Sequence, residues 1–181
     1  MIDSARNIAL IGFMGAGKTS VGRVLAHLTK MSFVDADTQI EEIVKMPISH
    51  IFELCGEGHF RCLEYEFYRD NMPTMKNTVI ATGGGAILDK RIRTILRENA
   101  LTIYLEASPQ AIISRIENDS SRPLLANCNK IAKIDALLTE RDMLYRRTCH
   151  AIIDTSGANI NVCAEKILSI VLSLTKKPYV R

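Results

Sequence analysis

An α/β domain, a parallel sheet with helices over both faces, is the fold class this sequence predicts, and three observations predict it. Short apolar runs alternate with helical patterns along the whole chain. The 181 residues are enough for one compact domain with a real core, and no internal repeat or low-complexity stretch divides them. Nearly half the residues are apolar and about a quarter are charged, the balance of an ordinary soluble globular protein.

The elements follow in order. Ile8 to Ile11 reads as a buried strand, and Val21, Val24, Leu25 and Leu28 then recur at helical spacing. Ser32 to Val34 is a second strand, followed by a helix from about Thr38 to Met46. A helical region runs from about Ser49 to Asp70 with an interruption near Gly56 and Gly58. Thr78 to Ala81 is a third strand that ends at Gly83-Gly84-Gly85, and Asp89 to Glu98 is helical. Leu101 to Leu105 is a fourth strand, after which Pro109 suits the first turn of a helix. Asn118 to Ile134 reads as polar and irregular. Leu137 to Thr148 is helical, Ala151 to Ile153 is a fifth strand, and Ile160 to Leu174 is a closing helix. Strands and helices in this alternation imply a parallel sheet covered on both sides. Ligands of such folds bind at the carboxyl ends of the strands.

Composition narrows the function. A net charge of +3 is too small to argue for nucleic acid or an anionic membrane as partner. Cys55, Cys62, Cys128, Cys149 and Cys163 contain no C-x-x-C, and with the four scattered histidines they give no zinc spacing. They read as reduced thiols of a cytoplasmic protein. No apolar stretch approaches the ~20 residues that span a bilayer. The short apolar run after Asp3 and Arg6 is too short and wrongly flanked for a signal peptide.

Gly12-Phe13-Met14-Gly15-Ala16-Gly17-Lys18-Thr19 matches G-x-x-x-x-G-K-[ST], after a strand and at the start of a helix. Glycines let the backbone turn so that successive N–H groups face phosphate oxygens, and the helix N-terminus favours the anion. Lys18 can reach the β- and γ-phosphates, and the Thr19 hydroxyl can ligate Mg²⁺. The loop alone does not choose the reaction. Asp154-Thr155-Ser156-Gly157 matches the D-x-x-G of GTPases, but it lies near the C-terminus, and Asn129-Lys130 lacks the following Asp. Asp154 ends an apolar run, as a magnesium-directed acid does, and Asp35 competes with it for that place.

A kinase acting on a small molecule must also fix an acceptor hydroxyl, neutralise charge and exclude water. Asp35 and Asp37 end the second strand. On an extended backbone they point to one side, one towards metal-bound water and one towards a hydroxyl; alternatively Thr38 and Glu41 form a capping box with Asp37 near the positive helix end. Arg61 and Glu64, three apart on a helix, are either a surface ion pair worth ~0.3 kcal/mol or an arginine aimed at a substrate carboxylate. Three consecutive glycines, Gly83 to Gly85, point to something that approaches the backbone closely. Arg122, in Arg122-Pro123-Leu124-Leu125, either closes over phosphates from a long loop or is a solvated arginine. Arg141 shares a helix face with Leu137, Leu138, Leu144 and Tyr145. A charge in such a stripe pairs internally or faces an anionic ligand.

These motifs, in this order from Gly12 to about Thr155, resemble the shikimate kinases, a branch of the nucleoside-monophosphate-kinase-like P-loop proteins. The resemblance implies one domain over residues 1–181, with a five-stranded parallel sheet in the order 2-3-1-4-5. Substrate-binding helices would span about 38–70 and a mobile lid about 118–134. It implies phosphoryl transfer from ATP, with Mg²⁺, to the 3-hydroxyl of shikimate, by a monomer that binds neither nucleic acid nor membrane. Gly15, Ala16, Gly17, Lys18, Thr19 and Ser20 would hold the nucleotide, with Arg115 on adenine and Arg122 as the lid arginine at the phosphates. Lys18, Asp37 and Arg122 would be catalytic. Thr19 would ligate magnesium, and Asp35 would support it through water. Asp37, Arg61, Glu64, Gly83, Gly84, Gly85 and Arg141 would bind shikimate, the two arginines on its carboxylate, within an apolar wall of Ile48, Phe52, Phe60, Pro123 and Leu124. Thr19 stands where the family often has serine. Ser156, Gly157, Ala158 and Asn159 stand where it often has basic or proline residues touching adenine.

Overall fold

The structure, a computed structural model, describes residues 7–116 and 130–175. Five strands make one sheet: β1 (Asn7–Ile11), β2 (Ser32–Asp35), β3 (Thr78–Ala81), β4 (Ala100–Glu106) and β5 (Ala151–Asp154). All neighbours are parallel and the order is β2-β3-β1-β4-β5, as expected. The helices among the described residues are α1 (Lys18–Thr29), α2 (Ala36–Val44), α3 (Ile48–Asn71), α4 (Lys90–Asn99), α5 (Pro109–Ile116), α6 (Lys130–Thr148) and α7 (Ile160–Thr175). A short 3-10 turn at Ala86–Leu88 follows the glycine triplet.

The pleat of β1 sorts the core into two layers. Ile8 and Leu10 join the apolar cluster formed with α1, α5 and α7, whereas Ala9 and Ile11 join the cluster formed with α2, α3 and α4. Helix α6 serves both layers, with Ile134 in the first and Tyr145 in the second. Asn7 stitches the start of the sheet: its amide donates to Met75 O at 2.8 Å, and its carbonyl accepts from Thr78 N at 3.2 Å.

Four expectations are corrected. The helix after β2 starts at Ala36, not Thr38, so Asp35 and Asp37 do not alternate along a strand. Asp35 is the N-cap, its carboxylate accepting from Asp37 N at 3.2 Å. The anticipated Thr38–Glu41 box gives way to a different use of Glu41, which accepts from Ile48 N at 2.8 Å and so caps α3. Helix α3 is interrupted at Gly56 alone (φ 79°, ψ 166°), and Gly58 is helical. Finally, α6 begins at Lys130 rather than Leu137, so the end of the segment read as irregular is helix, with Ile134 fully buried. Arg122, Pro123, Leu124, Cys128 and the larger part of the expected lid lie outside the described residues.

The topology positions the site. The chain leaves β1 towards β2 on one side of the sheet and leaves β3 towards β4 on the other. Strands β1 and β3 are neighbours, so their carboxyl ends flank a crevice of the kind that binds ligands in open α/β sheets. The phosphate loop leaves β1 and the glycine triplet leaves β3.

Candidate active site

The phosphate loop is held by its own backbone. Gly15 (φ 75°) and Gly17 (φ 91°) take left-handed conformations that a side chain would oppose. Gly12 passes so close to β4 that an added Cβ would sit 2.5 Å from Leu105 O. Ala16 N donates to Phe13 O at 3.1 Å and closes the turn. Helix α1 starts at Lys18, with no acidic residue in its first turn to oppose an anion there. Lys18 Nζ donates to Gly12 O (2.9 Å) and Phe13 O (3.0 Å) and arches over the loop. Thr19 Oγ1 donates to Asp35 Oδ2 at 2.7 Å. Asp154, the competing acid, is bonded elsewhere. Asp154 is exposed and accepts from Ser156 N and Ser156 Oγ (2.8 and 2.6 Å), and these bonds hold its carboxyl below the usual range.

Three successive glycines meet three different neighbours. A Cβ on Gly83 would lie 2.6 Å from both Asp37 Oδ1 and Glu64 Oε1. One on Gly84 would lie 3.2 Å from Met14 N of the phosphate loop, and one on Gly85 would fall inside the Arg61 guanidinium, 2.6 Å from its Cζ. None of the three has a positive φ, so close approach, not backbone conformation, excludes a side chain. The triplet thus gathers the two acids, the loop and the arginine at one strand end.

The Arg61–Glu64 pair is no surface bridge. Glu64 is 1% exposed, and its Oε2 accepts from Arg61 Nη1 at 2.7 Å. Glu57, which the sequence did not nominate, accepts from Arg61 Nη2 at 2.9 Å. Burial works against the Arg61 cation, but the two glutamates outweigh it and hold its pKa above the ordinary value. Burial pushes Glu64 up to about 7 despite the pull of Arg61, and the charges of Asp37 and Asp89 add to the push. Its Oε1 has no hydrogen-bond partner within the described residues, so this buried acceptor faces Gly83 unsatisfied.

Arg141 lies on the buried side of α6, as the stripe suggested. Its Cζ is 5.7 Å from the centre of the Phe13 ring of the phosphate loop, and its Nε is buried with no hydrogen-bond partner among the described residues. Phe52 and Phe60 of the expected apolar wall pack together at 5.1 Å, and Phe60 lies beneath Arg61.

The cleft, about 540 Å³, runs from Asp37, Thr82 and Gly84 along Met14 to Ser20 and on to Arg115, Thr155 and the start of α7. Arg115 Nη1 donates to Gly15 O at 3.0 Å, and its Nη2 donates to Thr155 O, so it braces the loop against the end of β5. Ala158, Asn159, Ile160 and Cys163 line the same cleft although they match no basic or proline pattern. Sequence reasoning also missed Tyr145, whose hydroxyl donates to Gly84 O at 2.8 Å. Its only signal was membership of the apolar stripe that drew attention to Arg141.

Oxygen donors at the foot of the cleft suit Mg²⁺. Thr19 Oγ1 and Asp35 Oδ2 already share a hydrogen bond beside Lys18. Among the described residues no group of three His, Cys, Asp or Glu could hold a metal by itself. Mg²⁺ needs none, since it keeps waters and uses one or two protein oxygens with substrate phosphates.

Comparisons with known proteins give the family and the fold. The model of the family described as shikimate kinase matches residues 14–172. A shikimate kinase of Chromobacterium violaceum is 38% identical over 174 residues, 96% of this chain and 94% of that one. One from Caldicellulosiruptor saccharolyticus is 38% identical over 95% of this chain and 99% of its own. Among solved structures, the shikimate kinase of Acinetobacter baumannii in complex with shikimate superposes with a TM-score of 0.92 at 39% identity, covering 97% of this chain and 98% of that one. The shikimate kinase of Aquifex aeolicus gives 0.79 at 28% identity, covering 92% and 96%.

Proposed function

This chain belongs to the shikimate kinase family, and on that premise we propose that it transfers the γ-phosphate of ATP to the 3-hydroxyl of shikimate. The products are shikimate 3-phosphate and ADP, on the route to chorismate and the aromatic amino acids. The observation that carries the reading is the glycine triplet: acceptor acids, phosphate loop and arginine converge on three consecutive residues. A donor and an acceptor bound on either side of Gly84 would meet with reacting atoms close, the condition for in-line transfer.

Roles follow from position. The loop N–H groups from Gly15 to Ser20 and the α1 terminus receive the phosphates, and Lys18 offsets charge on the transferring group. Thr19 and, through water, Asp35 would hold Mg²⁺, which when bound neutralises phosphate charge. Asp37 accepts the hydrogen bond of the acceptor hydroxyl and orients it. In a loose transition state the proton leaves late, so orientation is its first task. Arg61, aimed by Glu64 and Glu57, and Arg141 receive the acceptor's carboxylate. Arg115 would border the nucleotide base, and Arg122, by its place in Arg122-Pro123-Leu124-Leu125, would close on the phosphates from the segment between α5 and α6. Residues 1–181 would act as one domain, a cytoplasmic monomer. The described thiols Cys55, Cys62, Cys149 and Cys163 are all unbridged. No helix of the described residues is long and apolar enough to cross a membrane.

Coupled ADP release with ATP, Mg²⁺ and a panel of acceptors tests the reading. Turnover with shikimate is expected; turnover with gluconate or a nucleoside monophosphate and none with shikimate would sink it.

A further inference from the structure

Tyr145 stands at the centre of the acceptor half with no role assigned to it so far. Its ring is 1% exposed and stacks on Tyr104, with centroids 4.8 Å apart and planes 13° apart. Its hydroxyl donates to Gly84 O at 2.8 Å, across 61 residues of sequence. Burial raises the phenol's pKa, and the Arg141 charge, the hydrogen bond from Arg141 and the Arg61 charge act against that rise, so the hydroxyl sits against Arg141 and in the field of both cations. The phenol stays protonated and remains a donor.

The bond joins two parts of one device. Arg141 sits one helical turn before Tyr145 on the same face of α6. Gly84 lies between Gly83, which packs on Asp37 and Glu64, and Gly85, which packs on Arg61. Among the described residues Arg141 Nε has no hydrogen-bond partner, while the guanidinium bonds to the Tyr145 hydroxyl, so the placing of α6 and of that phenol governs where it sits. We propose that Tyr145 is a positioning residue for the acceptor: by donating to Gly84 O it holds α6 against the glycine triplet and sets the spacing between Arg141 and Arg61 that receives a carboxylate. The inference rests on the proposed reading of a carboxylate-bearing acceptor.

Steady-state kinetics of Tyr145→Phe test it, because the ring and its stack are kept and only the hydroxyl, with its bonds to Gly84 O and Arg141, is lost. The KM for shikimate should rise about five- to tenfold while kcat and the KM for ATP stay within about twofold. Tyr104→Phe is the comparator. It deletes a hydroxyl from the same stack, bonded to Asp142 Oδ1 rather than to the triplet, and should leave the shikimate KM unchanged. Arg141→Lys combined with Tyr145→Phe should raise the shikimate KM by less than the product of the single effects, since both act through one guanidinium. An unchanged shikimate KM in Tyr145→Phe, an equal rise in both substrates' KM, or a full product in the double variant overturns the proposal. Unvaried enzyme that turns over no shikimate would instead overturn the functional reading, and this proposal with it.

Discussion

The two halves of the cleft are built by opposite means. The phosphate half is one contiguous loop, shaped by left-handed glycines and closed by backbone hydrogen bonds, with Lys18 arching onto Gly12 O and Phe13 O. The acceptor half is assembled from α2, α3, the end of β3 and α6, and its parts are held by side chains: Arg61 on Glu64 and Glu57, and Tyr145 on Gly84. A backbone-built site resists change in most of its side chains and fails at the few that touch the ligand. A site built from side chains is graded and responds to pH and to each partner.

Four experiments break or sharpen that contrast. Lys18→Ala should lower kcat/KM by about 10³-fold with secondary structure intact by circular dichroism, since one preorganised cation is lost from an unchanged loop. Asp37→Asn should lower kcat by about 10²-fold and leave the ATP KM within about threefold; an unchanged kcat would remove Asp37 from catalysis. Gly85→Ala should raise the shikimate KM by roughly tenfold without moving that for ATP, because the new methyl displaces a guanidinium that makes charge-assisted bonds. The backbone at Gly85 (φ −103°) accepts alanine, so its melting temperature should stay near that of the parent, and a large fall would assign the triplet to folding instead.

The smallest effect is the pH response. As pH falls through about 7, Glu64 takes up a proton and loosens its hold on Arg61. The shikimate KM should then rise by about two- to fourfold while the ATP KM stays flat. Glu64→Gln should abolish that response. Stability runs the other way. The folded pKa lies above the ordinary 4.5, so the native state binds the extra proton between 4.5 and about 7. The contribution of Glu64 is complete below 4.5 and is lost as pH rises through about 7. Denaturant titrations of the parent protein and the Glu64→Gln variant across that range should diverge in that sense.

The same contrast explains what could be read from the sequence. The loop was legible in full because its pattern, strand and helix are adjacent in the chain, and the sheet order was legible because the motifs indicate a known branch of P-loop proteins. Arg61, Glu64 and the glycines were legible as residue types, but not the reason for three glycines, which lies in Asp37, Met14 and Arg61 packing where their Cβ atoms would be. Glu41 was read as part of the cap of its own helix, whereas it caps the next one. Asn7 and Tyr145 bond to partners 71 and 61 residues away, beyond the reach of local periodicity. The first turn of α6 was missed because its one core contact, Ile134, sits among exposed neighbours and leaves little period to detect.

The crowding around Gly83 to Gly85 also bears on how this protein can vary. Every single-base change in a glycine codon that exchanges the amino acid installs a side chain. At each of the three positions that side chain strikes an acid pair, the phosphate loop or an arginine. A compound that binds the backbone of this stretch would therefore face a target with few escape mutations, whereas one that leans on the open start of α7 would meet Ile160, whose exposed side chain leaves room for change.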